Sequence, residues 1–142
     1  MYNISPALWG NHGWSFLHYV TLSYPDNPDQ ETIETFRDFF INRIWKVLPC
    51  EKCRYNYKRH LTDLPLTDDI LKCRDKFIYW LVDMHNIVNE EIGKRKISYD
   101  EFNEIYTNNK KEEVKTKNNS FIFVILLILI LIILFILYRK VQ

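Results

Sequence analysis

Glycine, proline and cysteine are all scarce, with 3, 5 and 3 copies among 142 residues. So little glycine and proline excludes a collagen and a low-complexity disordered chain. Three cysteines are too few for a disulfide-dense secreted miniprotein. The length excludes a large multidomain enzyme and fits one compact domain. A basic excess is missing too. Residues 1–109 carry 13 basic and 16 acidic side chains, whereas residues 110–142 carry 6 and 2. A mildly acidic body lacks the basic stripe of a nucleic-acid binder, so no nucleic-acid partner is expected. The start, Met1-Tyr2-Asn3-Ile4-Ser5-Pro6, has neither the basic region nor the apolar run of a signal peptide. There is no internal repeat and no alternating strand pattern.

Apolar residues are instead concentrated at one end. Phe121–Tyr138 is a run of eighteen apolar residues without charge, Pro or Gly. As a helix rising about 1.5 Å per residue it would extend roughly 27 Å, close to the hydrocarbon thickness of a bilayer. A small domain cannot cover a helix that is apolar on every face. Residues 121–138 are therefore expected to be a transmembrane helix, residues 107–120 a polar tether, and residues 1–106 the folded domain. Lys110, Lys111, Lys115 and Lys117 precede the span, and only Arg139 and Lys140 follow it. That bias predicts a tail-anchored, single-pass protein with its domain facing the cytosol.

Within residues 1–106 the signals are helical. Ser5-Pro6 starts a helix running to about Leu22, with Leu8, Trp9, Phe16, Leu17 and Val20 as its apolar face. Tyr24–Asp29 is a turn rich in Pro, Asp and Asn. Ile33, Phe36, Phe40, Ile44 and Val47 follow helical spacing, so a second helix spans residues 30–47. Pro49 separates it from a third, over about 50–61. Asp68 or Asp69 caps a long fourth, with Gly93 at its C′ position. Ser98-Tyr-Asp-Glu101 is a capping box for a short fifth helix ending near Tyr106. The expected fold is all-α, a bundle of five helices.

Pro49-Cys50-Glu51-Lys52-Cys53 places a C-x-x-C at a helix N-terminus. The positive end of the helix dipole favours a thiolate there, and two intervening residues let the sulfurs meet in a reversible disulfide. Half a zinc site and two chance cysteines remain alternatives, although His60 and His85 are too isolated to complete a metal centre. An all-α scaffold is not the βαβ setting of a thioredoxin-type motif, so a dithiol here needs a separate electron acceptor. A flavin held between helices would serve. Trp14 and His18 share one face of the first helix. Trp80, His85, Asn86 and Asn89 line the fourth, which ends in Gly93-Lys94, and Lys94 suits a phosphate. A tail-anchored helical adaptor with a structural C-x-x-C and no flavin is the competing reading.

These pieces together resemble the Erv/ALR family of FAD-linked sulfhydryl oxidases. The matching stretches are Leu8-Trp-Gly-Asn-His-Gly-Trp14, Phe16-Leu-His18, Tyr24-Pro25, Cys50–Cys53, Trp80-Leu81, His85-Asn-Ile-Val-Asn89 and Ile92-Gly-Lys94. They cover roughly residues 6–106, and the short domain and apolar tail look most like members from large cytoplasmic DNA viruses. The resemblance implies a four-helix FAD-binding bundle with a short fifth helix, commonly a homodimer. It also implies a thiol oxidase moving electrons from partner dithiols through Cys50 and Cys53 to FAD and then to O2, giving hydrogen peroxide. Cys50 would meet the incoming thiolate, and Cys53 would lie against the flavin. Gly10, Trp14, His18, His85, Asn86, Asn89 and Lys94 match cofactor-binding positions, and Tyr106 aligns with an aromatic that is usually Trp. No metal is implied.

Departures from the family pattern qualify the match. Val82 and Tyr99 stand where cellular members carry a structural disulfide. No second C-x-x-C is present to act as a shuttle, so protein dithiols must deliver electrons directly, with a thioredoxin-like viral relay protein a candidate partner. Cys73 matches nothing in the pattern and is read as a buried, inert thiol, with an intersubunit disulfide as the alternative. The membrane would be a host cytoplasmic or virion membrane.

Overall fold

The computed structural model describes residues 3–107, 123–132 and 139. Helix α1 (Pro6–Leu22) begins as its sequence predicts, with Pro6 in the first turn and the Ser5 hydroxyl accepting the Ala7 N–H at 3.4 Å. Its buried stripe is Leu17, His18, Thr21 and Leu22. Leu8 and Phe16, expected on the core face, are exposed. The stripe that packs along α6 runs through Trp14, His18 and Thr21, and Phe16 points the other way around the helix.

Asp29 caps α2 (Gln30–Arg37), accepting from Thr32 N at 2.8 Å. The single helix expected over 30–47 is then interrupted by a π-helical segment, Asp38–Arg43, before α3 (Ile44–Val47). Ile44 N reaches back to Phe39 O, five residues earlier, while Phe40 O accepts the Tyr57 hydroxyl at 2.9 Å. The wider turn suits the successive spacings of four in Phe36, Phe40 and Ile44, and leaves Val47 70% exposed.

Helix α4 (Glu51–Asp63) follows the Pro49 break. The long fourth helix predicted from Asp68 is two helices, α5 (Asp68–Leu71) and α6 (Arg74–Glu91). Thr67, not an aspartate, caps the first. The break has a tertiary cause: the Leu71 carbonyl, which a continuous helix would give to an amide, accepts the Tyr24 hydroxyl at 2.8 Å. Arg74 fixes the restart by donating to Leu22 O at 2.8 Å and to Asp26 Oδ1 at 2.9 Å. Cys73 has an extended backbone at the N-cap of α6. It is a free thiol and only half-buried, not the buried one expected. At the far end Gly93 adopts φ +72°, Gly93 N bonds Glu90 O at 3.1 Å and Lys94 N bonds Asn89 O at 2.7 Å. These two bonds are a Schellman C-cap at the predicted glycine.

Edge-on aromatic packing fills the core. Phe77 meets Tyr24 at 4.9 Å and Phe40 at 5.2 Å between ring centroids, and Phe40 meets Trp80 at 5.7 Å. Leu71, Leu81 and Met84 complete it.

The chain divides into two compact units, Met1–Tyr99 and Asp100–Gln142. Helix α7 (Tyr99–Tyr106), expected at the end of the folded domain, lies in the second unit except for its first residue. Residues 123–132 are helical and exposed. Among the described residues no helix is long and apolar enough to cross a membrane. The rest of the expected span, 121–122 and 133–138, and tether residues 108–120 lie outside the described residues.

Candidate functional site

The chain turns at Leu48-Pro49 so that Cys50 is extended, with φ −130° and ψ 123°, and takes the N-cap of α4. Cys50 and Cys53 form a disulfide with their Cα atoms 5.1 Å apart. Cys53 N donates to Cys50 Sγ at 3.1 Å. A backbone N–H and the helix N-terminus thus both face this sulfur, an arrangement that favours a thiolate once the bond is opened.

The residues just before α1 hold the turn from the other side. Ile4 N donates to Pro49 O at 2.8 Å, Glu51 N donates to Asn3 Oδ1 at 3.1 Å, and the Trp9 indole donates to Ile4 O at 3.3 Å. Nothing in the sequence pattern of Asn3-Ile4 signals this clasp. Cys50, expected to meet incoming thiols, is only 5% exposed, and Cys53 is the less enclosed of the two.

A second group forms where α1 packs along α6. Trp14 stacks on His85 with centroids 4.2 Å apart and planes 9° from parallel. His18, fully buried, shares a 3.0 Å hydrogen bond between its Nε2 and Nδ1 of His85. Burial, and secondarily the neighbouring His85, lowers the His18 pKa to about 3. Burial, and secondarily the Lys94 ammonium, lowers that of His85 to about 4. Both rings are therefore neutral at pH 7, so one nitrogen of the shared bond carries the proton and the other accepts it. The tautomer of either ring fixes that of the other.

The remaining predicted positions divide. Asn89 is 7% exposed, and its carboxamide makes no hydrogen bond among the described residues. Gly10 faces open space, since a Cβ there would meet nothing within 4 Å. Asn86 is fully engaged: its Nδ2 donates to Ile97 O at 2.9 Å and its Oδ1 accepts Ile97 N at 2.9 Å, tying down the loop that carries Lys94. Tyr106 belongs to the second unit, where it stacks on Phe102 at 4.9 Å. His60, too isolated in sequence for a metal centre, meets residues that were not singled out: its Nε2 lies 3.0 Å from Glu91 Oε1, which also receives the Arg59 guanidinium, linking α4 to the end of α6. Among the described residues no cluster of His, Cys, Asp and Glu is placed to hold a metal.

A flat aromatic face, two neutral imidazoles, the Asn89 carboxamide one turn beyond His85 and a lysine at the helix end suit a planar heteroaromatic ring with polar edges and a phosphate. FAD fits that donor set. The fold and the disulfide at its helix N-terminus together define a helical thiol–disulfide redox domain.

Known proteins narrow this class. The Erv1/Alr family pattern matches residues 11–122, and the chain belongs to that family. It is 46% identical over 98 residues to the probable FAD-linked sulfhydryl oxidase of Acanthamoeba polyphaga mimivirus, covering 69% of this chain and 68% of that one. It is 31% identical over 114 residues to the FAD-linked sulfhydryl oxidase of African swine fever virus (isolate Pig/Kenya/KEN-50/1950), covering 80% and 92%. In structure it resembles the FAD binding domain of Erv1 from Saccharomyces cerevisiae, with TM-score 0.67 and 21% identity over 75% of this chain and 97% of that one. That last likeness concerns the fold alone.

Proposed function

We infer that this chain is a FAD-linked sulfhydryl oxidase that forms disulfide bonds in partner proteins. One observation carries the reading: in a chain of this family, the C-x-x-C is closed as a disulfide at a helix N-terminus. A substrate thiolate attacks Sγ of Cys50, the Cys50–Cys53 bond breaks, and Cys53 leaves as a thiolate. The second substrate thiolate then attacks the mixed disulfide, releasing Cys50 and an oxidised substrate. The Cys53 N–H steadies the anionic Cys50 sulfur. Bound FAD would supply the acceptor for the electron pair of the reduced cysteines, with O2 as final oxidant and hydrogen peroxide as product. Trp14 and His85 would hold its ring, Asn89 its polar edge and Lys94 a phosphate, with Gly10 leaving room for close approach. Asn86 is better read as the anchor of the Lys94 loop.

The finer architecture is part of the same proposal: a four-helix bundle with a short fifth helix over residues 1–106, a tether, and a transmembrane anchor at 121–138. Support for the anchor and for a cytosol-facing domain comes from the eighteen-residue apolar run and the lysines before it. Reducing cytosol opposes structural disulfides, so a dedicated oxidase facing it would be needed to make them. Protein dithiols, O2 and a second copy of the chain are the proposed partners.

The test is a purification and a substitution. The protein is expected to be yellow and to consume O2 with dithiothreitol. Cys53→Ser is expected to keep the flavin and lose turnover. A colourless preparation, or a Cys53→Ser variant oxidising thiols at the parent rate, overturns the assignment.

A further inference from the structure

Charge in the folded part is sorted by position. Residues 43–60 hold six basic side chains, Arg43, Lys46, Lys52, Arg54, Lys58 and Arg59, against one acidic one, Glu51; the rest of residues 1–109 holds seven against fifteen. This segment includes the redox disulfide. Its arginines are committed: Arg43 pairs with Asp38 at 2.8 Å, Arg59 with Glu91, and Arg54 turns inward to Leu48 O at 2.7 Å. Lys46, Lys52 and Lys58 are exposed and make no ion pair among the described residues.

The lysines also surround apolar surface. The Trp45 ring has Lys58 Nζ 4.5 Å and Lys46 Nζ 5.4 Å from its centroid. Val47, three positions before Cys50, is 70% exposed, and Tyr55, one turn into α4, is 71% exposed. Tyr55 lies at the centre of the outer face of α4, with Lys52 and Lys58 to either side. Exposed aromatic and aliphatic anchors beside three lysines, with Glu51 the one acidic side chain of the segment, make a docking face that selects its partner by complementarity and speeds encounter.

We propose that the outer face of α3 and α4 docks an acidic segment of the protein whose thiols are oxidised, presenting carboxylates to Lys46, Lys52 and Lys58 beside Val47 and Tyr55. The proposal rests on the oxidase reading and adds the class of substrate to it. Elsewhere the acidic surface of the domain repels such a partner, so encounter is steered to the end that bears the disulfide.

The test uses the flavin-loaded full chain and two reduced C-x-x-C peptides of equal length, one flanked by Glu and one by Lys, with O2 uptake as readout. At low salt the Glu peptide is expected to have a kcat/KM at least about tenfold higher. The ratio should shrink toward one at about 0.5 M salt, where screening acts over roughly 4 Å. The triple variant Lys46→Glu, Lys52→Glu, Lys58→Glu is expected to reverse the order, with its flavin absorbance reporting that it is folded. If it loses flavin, the single Lys→Gln variants carry the test, each lowering the preference about twofold. Equal kcat/KM for the two peptides, an unchanged order in the triple variant, or an unchanged ratio in the single ones overturns the proposal. Dithiothreitol oxidation by the parent separates the two failures: without it the oxidase reading falls and takes the proposal with it; with it, only the docking face is wrong.

Discussion

The buried imidazole pair makes stability depend on pH in a direction opposite to that of a histidine with an acidic partner. His18 and His85 have pKa values lowered from 6.5 to about 3 and about 4, chiefly by burial. Above 6.5 both folded and unfolded chains keep these rings neutral, and the pair contributes nothing to the pH dependence. As pH falls through 6.5 the unfolded chain takes up protons that the folded one refuses, so stability is lost progressively down to the folded values. A pH of about 5 lies about 1.5 units below the unfolded ring's pKa of 6.5, and each unit is about 1.36 kcal/mol, giving about 2 kcal/mol for a fully buried ring such as His18. His85 is partly exposed and is discounted to about 1 kcal/mol, for a total near 3 kcal/mol. Asp29, Asp38, Asp69 and Glu91 are held below 3.8, 3.8, 3.8 and 4.5 by hydrogen bonds from Thr32, Arg43, Lys76 and His60 respectively, so their losses fall mostly below this window. Urea unfolding of residues 1–109 at about pH 7.5 and about pH 5 should show the 3 kcal/mol loss. A variant with His18→Gln and His85→Gln, though less stable at both pH values, should lack it. An equal loss in parent and variant would refute the reasoning.

Two further perturbations test the frame around the site. Phe77→Ala removes the fully buried ring that meets Tyr24, Phe36 and Phe40, and should cost about 3–5 kcal/mol, more than about 10 °C in Tm by calorimetry; a shift of only a few degrees would show that the core closes over the gap. Asn86→Ala strips both hydrogen bonds from Ile97, at about 1–3 kcal/mol, and should speed amide exchange at Ile97 and weaken flavin retention while leaving the Phe77 amide protected. Unchanged exchange at Ile97 would remove Asn86 from the role of loop anchor.

What could be read in the sequence was whatever chemistry acts within a few residues. Ser5 and Gly93 each mark a helix end through their own backbone or side chain, and each stands where the pattern put it. The C-x-x-C likewise needs only a break and a helix start. Tertiary partners decided the rest. The Tyr24 hydroxyl ends α5 by taking the Leu71 carbonyl, and the Tyr57 hydroxyl occupies the Phe40 carbonyl within the π segment, yet neither tyrosine is near its target in sequence. The same holds in the site. Trp14 and His18 were legible as one helical face, but the His18–His85 bond exists only because two helices cross at that height. Asn86 is legible as a site residue by its company, but the bonds of its carboxamide to Ile97, eleven residues on, are not.

A small helical domain can cycle a disulfide without being loosened by it, and the bonds around Cys50 explain how. A cross-link across two residues closes so short a loop that its chain-entropy contribution is only about 2 kcal/mol, against nearly 5 for a loop of about 100 residues. Opening it therefore costs the fold little, provided the turn keeps its shape by other means. Here the turn is held by Ile4 N to Pro49 O, Asn3 Oδ1 to Glu51 N, and Arg54 N to Cys50 O, none of which involves sulfur. The Cys53 N–H to Cys50 Sγ contact does involve sulfur, and it is strengthened when that sulfur becomes an anion. The same backbone that presents the disulfide thus presents the dithiol, so the sulfur chemistry can turn over while the helices around it stay in place.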